Sequence, residues 1–120
     1  AVSPWDLSAA TPGESSAEIR KRVLAAREIQ KKRFVAFGCP QLLTNAQLKG
    51  ELLEQAAVLD NDARTLLLTY ADKVRLSARA YHRTLRLART IADLQNEIKL
   101  LKIHIAEALS LRWKMPDYKI

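Results

Sequence analysis

Apolar positions recur at helical spacing in four long segments of this chain and one short one. Ser15-Ser16-Ala17-Glu18 matches the S-x-x-E capping box and opens a first helix that runs to about Phe34. Its apolar stripe of Ile19, Val23, Ala26 and Ile29 is narrow, and Arg20, Lys21, Arg22, Arg27, Lys31, Lys32 and Arg33 cover the remainder. A helix this polar is either well solvated or bridges two bodies. Gly38, Pro40 and the Thr44-Asn45 pair mark a loop. Thr44 or Asn45 then caps a short helix through Leu48, Leu52, Leu53 and Ala56, with Gly50 as its weak point. Asp60 caps a third helix over Asn61–Val74, in which Ala63, Leu66, Leu67, Tyr70 and Ala71 are core candidates. A fourth covers Ala78–Asp93. The last carries Ile103, Ile105, Ala106 and Leu109 and ends near Arg112 or Trp113. Its start is weakly marked: Asn96 is the only turn signal between Asp93 and Leu101, and propensity alone permits one continuous helix there. The pattern predicts an all-α bundle of four main helices plus one short helix over residues 15–113. An extended opening segment, 1–14, offers Trp5 and Leu7 as anchors, and a tail follows over 114–120, set off by Pro116.

The fourth helix lies in LSARAYHRTLRLARTIADL, Leu76 to Leu94, with Ser77 as its N-cap. At about 100° per residue, with Arg79 at zero, Arg83 falls near +40°, Arg86 near −20° and Arg89 near −80°. Tyr81, Leu85, Leu87, Ala88, Ile91, Ala92 and Leu94 occupy the other side. One wide face therefore enters a core, and four guanidinium groups line its edge, with His82 on the same solvated edge beside Arg89. Arginine keeps its charge and presents a planar fork suited to phosphate oxygens. Arg89 followed by Asp93 has the spacing of an i,i+4 ion pair worth a few tenths of a kcal/mol.

Composition agrees with a helical bundle and adds a charge. The 120 residues form one domain, poor in Gly and Phe and rich in Ala, Leu, Arg, Lys, Glu and Gln. Twenty basic against thirteen acidic residues give a formal charge of +7, which suits a polyanionic partner without choosing among nucleic acid, nucleotide and acidic protein. The single cysteine, Cys39, excludes an intramolecular disulfide framework and fits a reducing cytosol. No apolar run reaches the roughly 18 residues of a membrane span, and the N-terminus has no signal-peptide pattern. The missing initiator Met suggests a piece of a longer protein.

Little here supports self-contained catalysis. Cys39, His82 and His104 lack the i,i+3 or i,i+4 partners of a helical metal site, so no metal ligand is assigned. No Ser/His/Asp set, paired catalytic carboxylates or Gly-rich phosphate loop occurs. The basic face of the first helix could track a nucleic-acid backbone. The plainer reading is a solvated helix with i,i+4 pairs such as Glu18 with Arg22 and Glu28 with Lys32. A helix-turn-helix over residues 61–90 is conceivable, although the arginine-edged helix offers few of the Asn, Gln, Ser and Thr that read base edges.

LSARAYHRTLRLARTIADL, with GESSAEIRKRVLAAREIQKKRF and TNAQL upstream and HIAEALSLR downstream, resembles the C-terminal domain of the magnesium-chelatase-like AAA+ ATPases. Within that group it is similar to the competence-associated ComM (YifB-like) branch. The resemblance runs from about Gly13 to Arg112 in the family's order. It implies a helical lid following an ATPase core, and a sensor-2 arginine at the start of the third lid helix that approaches the nucleotide γ-phosphate. By position that residue is Arg79, the catalytic and cofactor-binding candidate. Arg83 and Arg86 are then candidates for a supporting or subunit-interface role, and the spacing of Arg79 and Arg86 also resembles the equivalent helix of MCM helicases. The family further implies ATP with Mg2+ as cofactor, held mainly by a core not in this chain, and a homo-oligomeric, hexameric ring. It implies a cytoplasmic location without membrane contact, and DNA branch migration by the whole protein. The Walker A loop, Walker B acid, sensor 1 and arginine finger are absent from this sequence, so no activity is expected of it alone. QNEIKLLKIH also lacks the family's turn residues before the last helix. The competing readings are a freestanding basic helical DNA-binding module and a protein-interaction bundle.

Overall fold

The described residues form five α-helices: α1 (Ser16–Ala36), α2 (Gly50–Ala56), α3 (Asn61–Val74), α4 (Ala78–Leu94) and α5 (Lys102–Lys114). The computed structural model of the protein describes residues 15–114, with side chains through Arg112. The expected opening segment with Trp5 and Leu7, and the tail with Pro116, lie outside the described residues. α1, α3, α4 and α5 are the four main helices and α2 the short one, an all-α bundle as the pattern predicts.

Three caps act as the sequence indicates, whereas Thr44 precedes a 3-10 turn and the short helix itself starts after Lys49 without a side-chain cap. Ser15, Asp60 and Ser77 accept from the amides of Glu18, Ala63 and Ala80, each satisfying one of the amides that a helix start leaves open. α4 is the central element, packed on α1, α2 and α5, while α3 packs on α5. The core joins Phe34 of α1, Leu53 of α2, Ala63 and Leu67 of α3, Leu85, Ala88 and Ile91 of α4, and Ile105 and Ala108 of α5.

Two helices depart from expectation. The short second helix is split: a 3-10 turn, Asn45–Gln47, is followed by extended backbone at Leu48 and Lys49, and α2 restarts at Gly50 with φ +53°. Glycine adopts that left-handed conformation without a Cβ penalty, so the weak point is a break. In α5, Ile105, Ala108 and Leu109 are buried, but Ile103 is 60% exposed and Ala106 is exposed. Ile103 and Ile105 are about 200° apart on a helix and cannot share a face. The face that continues through Ala108 and Leu109 prevails.

The start of the last helix is also settled. Asn96 takes φ +57°, and the Glu97 amide returns to the Ala92 carbonyl at 2.9 Å, a Schellman-type stop that asparagine tolerates well. The following strand-like residues pair with the α2–α3 connection. The Leu100 amide donates to Val58 O at 2.8 Å, and Leu100 O accepts from Asp60 at 3.0 Å. His104, fully buried in the first turn of α5, accepts the Leu101 amide at Nδ1 (2.9 Å) and places Nε2 2.9 Å from Gln95 Oε1. It supplies the cap that Leu101 cannot.

Candidate functional site

The four arginines of α4 divide along the helix axis. Ser77 fixes the start of α4, and Arg79, its second residue, is exposed. The amides of Ala78 and Arg79 have no partner within the helix, because the first turn of any helix lacks preceding carbonyls. Arg79 makes no hydrogen bond or ion pair among the described residues, and Arg83, one turn on, is half-buried and engaged. Arg86 is half-buried, its Nη1 donating to Leu48 O at 3.1 Å and so tying the end of the 3-10 turn to α4. Burial lowers the Arg86 pKa, and the charge of Arg83 lowers it further.

Arg89 does not lie on the solvated edge with His82. It is 2% exposed, whereas His82 is exposed, its ring edge to face with that of Tyr81. Its Nε donates to Asp93 at 3.1 Å, its Nη1 to Ala56 O at 3.0 Å and Ile98 O at 2.7 Å, and its Nη2 to Glu97 O. Burial lowers its pKa, Asp93 raises it and Arg33 lowers it. The guanidinium nonetheless stays charged, as arginine does in proteins. A wheel projects away position along the axis. From Thr84 onward α4 is enclosed by its neighbours on nearly every side, so an arginine at the wheel's edge there meets protein.

Asp93 is the other half of this cluster. Its carboxylate accepts from Gln30 Nε2 (3.2 Å), from Arg33 Nη1 (2.9 Å) and Nη2 (2.6 Å), from Asn45 Nδ2 (2.9 Å) and from Arg89 Nε. Asn45 also receives Arg33 and donates to Thr90. The i,i+4 pair expected of Arg89 and Asp93 is therefore present but buried, and the few tenths of a kcal/mol of a surface pair do not describe it. Chemically the cluster is closed: every carboxylate oxygen is met from within, and no free acid or base faces solvent. Cys39 is a half-buried free thiol, and no group of three His, Cys, Asp or Glu side chains assembles among the described residues.

A family model described as magnesium chelatase, subunit ChlI C-terminal, matches residues 13–112. The chain belongs to this family. Competence protein ComM of Haemophilus influenzae is 41% identical over 100 residues, covering 83% of this chain and 18% of that protein. The uncharacterized protein YifB of Salmonella typhimurium is 39% identical over 103 residues, 86% of this chain and 19% of its own. An uncharacterized Mycobacterium tuberculosis protein is 37% identical over 103 residues, 86% of this chain and 20% of its own. The chain thus spans about a fifth of the length of the curated relatives it matches. No solved structure gives a significant match.

In this family domain Arg79 is exposed, while Arg86 and Arg89 are turned to internal carbonyls. Gln30, Arg33 and Asn45 escape the sequence reading. Arg33 lies in a run of cations, Asn45 reads as a cap, and nothing marks Gln30. Only the Arg89–Asp93 spacing hints at the cluster. For the helix-turn-helix alternative, burial from Thr84 onward leaves only the first turns of α4 to meet a groove.

Proposed function

We propose that this chain is the C-terminal helical lid of a cytoplasmic AAA+ ATPase of the ComM/YifB type, and that Arg79 is its sensor-2 arginine. The observation that carries the reading is the position of Arg79: exposed, at the capped N-terminus of α4, and without a partner among the described residues. A fixed cation beside open backbone amides suits the γ-phosphate of ATP, where it stabilises the charge spread over the transferring group. Mg2+ and most of the nucleotide belong to the core of the whole protein, which assembles as a ring. Branch migration of DNA is the activity that the competence name of the Haemophilus relative and the family resemblance favour. Among the described residues no helix is long and apolar enough to cross a membrane.

The test is ATP turnover by the whole protein. Arg79→Ala lowers it by about tenfold or more, the scale of losing one charge-stabilising donor. Unchanged hydrolysis refutes the assignment. The alternative, a freestanding DNA-binding module, draws support from the exposed Arg20, Lys21, Arg27, Lys31 and Lys32 of α1. It requires salt-dependent duplex binding by the 120-residue chain.

A further inference from the structure

α1 is held to the bundle by unusually little apolar contact. Of its 21 residues only Ala26, Gln30 and Phe34 are buried, none of them among its first ten. Nothing from Ser15 to Ala25 is buried, and Leu24 is 56% exposed. An open groove of about 760 Å³, bordered by Arg22, Ala25, Ile29, Ile91 and Leu94, separates the middle of α1 from the last turn of α4. Dispersion and apolar burial therefore leave the angle of α1 loosely defined. Directional contacts of α1 include the two bonds of the Arg33 fork and the Gln30 amide on Asp93, and Arg33 also donates to Asn45.

The geometry points to Arg33 as a positioning residue: through Asp93 it sets the angle between α1 and α4, and so the place of Arg79 relative to whatever precedes α1. The inference rests on the sensor reading of Arg79. The family domain is described as C-terminal, and the relatives are about five times longer, so the connection to the rest of such a protein runs through α1. Arg79 and Asp93 stand about 21 Å apart along α4, at 1.5 Å per residue. A tilt of about 5° at the Asp93 end moves Arg79 by about 2 Å, against a tolerance of about 0.5 Å for productive contacts. A forked guanidinium–carboxylate pair resists such a tilt, because two parallel bonds fix orientation as well as distance. Asp93 keeps Gln30, Asn45 and Arg89 when Arg33 is removed, so the core stays satisfied while the tie loses its fork and keeps only the single Gln30 bond.

A double-mutant cycle on ATP hydrolysis by the whole protein tests this. Arg33→Gln lowers kcat at least about fivefold with KM for ATP within about twofold, and Arg33→Lys, which keeps the charge but not the fork, falls between it and the native protein. In the Arg79→Ala background Arg33→Gln causes no further loss, because the two residues act through one contact. If Arg79→Ala alone leaves turnover unchanged, the sensor reading falls and this inference with it. If Arg79→Ala lowers turnover but Arg33→Gln does not, or the two losses multiply, the positioning role is overturned and the sensor reading stands. Should Arg33→Gln give no folded protein, Arg33→Lys is carried through the same cycle and decides in the same way.

Discussion

Arg33 on α1 and Asp93 on α4, 60 residues apart in sequence, meet in a fork with Nη2–Oδ1 at 2.6 Å and Nη1–Oδ2 at 2.9 Å. Arg89 reaches the same carboxylate from one turn behind, so one acid serves two guanidinium groups. The excess positive charge is answered by carbonyls: Ala56, Glu97 and Ile98 all aim oxygens at Arg89. Buried ion pairs often contribute little net stability over a well-packed apolar core, but removing one partner leaves a desolvated charge behind. Here that asymmetry links α1 and the 3-10 turn, held by Asp93, to the end of α2 and the α4–α5 loop, held by Arg89.

Asp93→Ala is accordingly the most damaging single truncation in the cluster. It strands Arg89, which is 2% exposed, and releases Asn45 and Arg33 at once. The expected loss is about 3–5 kcal/mol in urea unfolding, a large share of a small domain's stability. Arg33→Gln should lose much less, since Arg33 is partly solvated and Asp93 keeps its other donors. Equal losses for the two variants would show that Arg89 is adequately served by its carbonyls alone.

His104 gives the stability a pH dependence. Burial pushes its pKa below the usual 6.5; Glu97 and Asp60 pull it upward, and Arg89 opposes them. The unfolded chain thus takes up a proton near 6.5, and the folded chain only at lower pH. The stability this group contributes is full above the unfolded value and is lost as the pH falls below it, by up to about 1.4 kcal/mol per pH unit. The loss levels off once folded His104 protonates, which breaks its acceptor bond with the Leu101 amide. Unfolding midpoints at pH 7.5 and 5.5, compared with His104→Gln, isolate the effect. Parallel profiles for the two proteins would exclude it.

Local signals in the sequence locate most of this fold, and non-local ones are where it hides. Ser15, Asp60 and Ser77 are caps because a side-chain oxygen three residues before an open amide is a property of the adjacent sequence. Asn96 marks the right stop, yet its force is not readable from propensity: Arg89, Leu100 and His104 complete the turn from both sides. The arginine edge of α4 is legible as a stripe but not as four separate fates. Arg79 and Arg89 differ only in how far along the axis the neighbouring helices reach. Gln30, Arg33 and Asn45 come together through tertiary contact, and no spacing announces them.

Two backbone positions carry removable strain. Arg75 ends α3 at φ +53°, and Asn96 follows α4 at φ +57°, both in the left-handed region. An L-residue with a long side chain loses about 1 kcal/mol there, and asparagine less. Arg75 is exposed and enters none of the α4 contacts, so Arg75→Gly should raise stability by about 1 kcal/mol, and Asn96→Gly by less. Thermal unfolding of the two variants checks the order; a destabilised Arg75→Gly would show that the side chain has a structural use.

Arg79 and Arg86, two helical turns apart, should separate function from stability. Arg79 is exposed at a helix N-terminus, where the helix dipole disfavours a cation, and truncation to alanine removes no described contact. Arg79→Ala should therefore change the stability of the 120-residue chain by less than about 0.5 kcal/mol. Arg86→Ala removes the charged donor to the Leu48 carbonyl, in a residue with no exposed surface, and should cost about 1–2 kcal/mol. Relief of repulsion from Arg83 offsets part of that loss without cancelling it. Urea unfolding of the two variants, set beside ATP turnover of the whole protein carrying the same changes, decides the matter. A stability loss in Arg79→Ala as large as in Arg86→Ala would mean that Arg79 serves the fold, and any fall in turnover would then no longer point to the nucleotide.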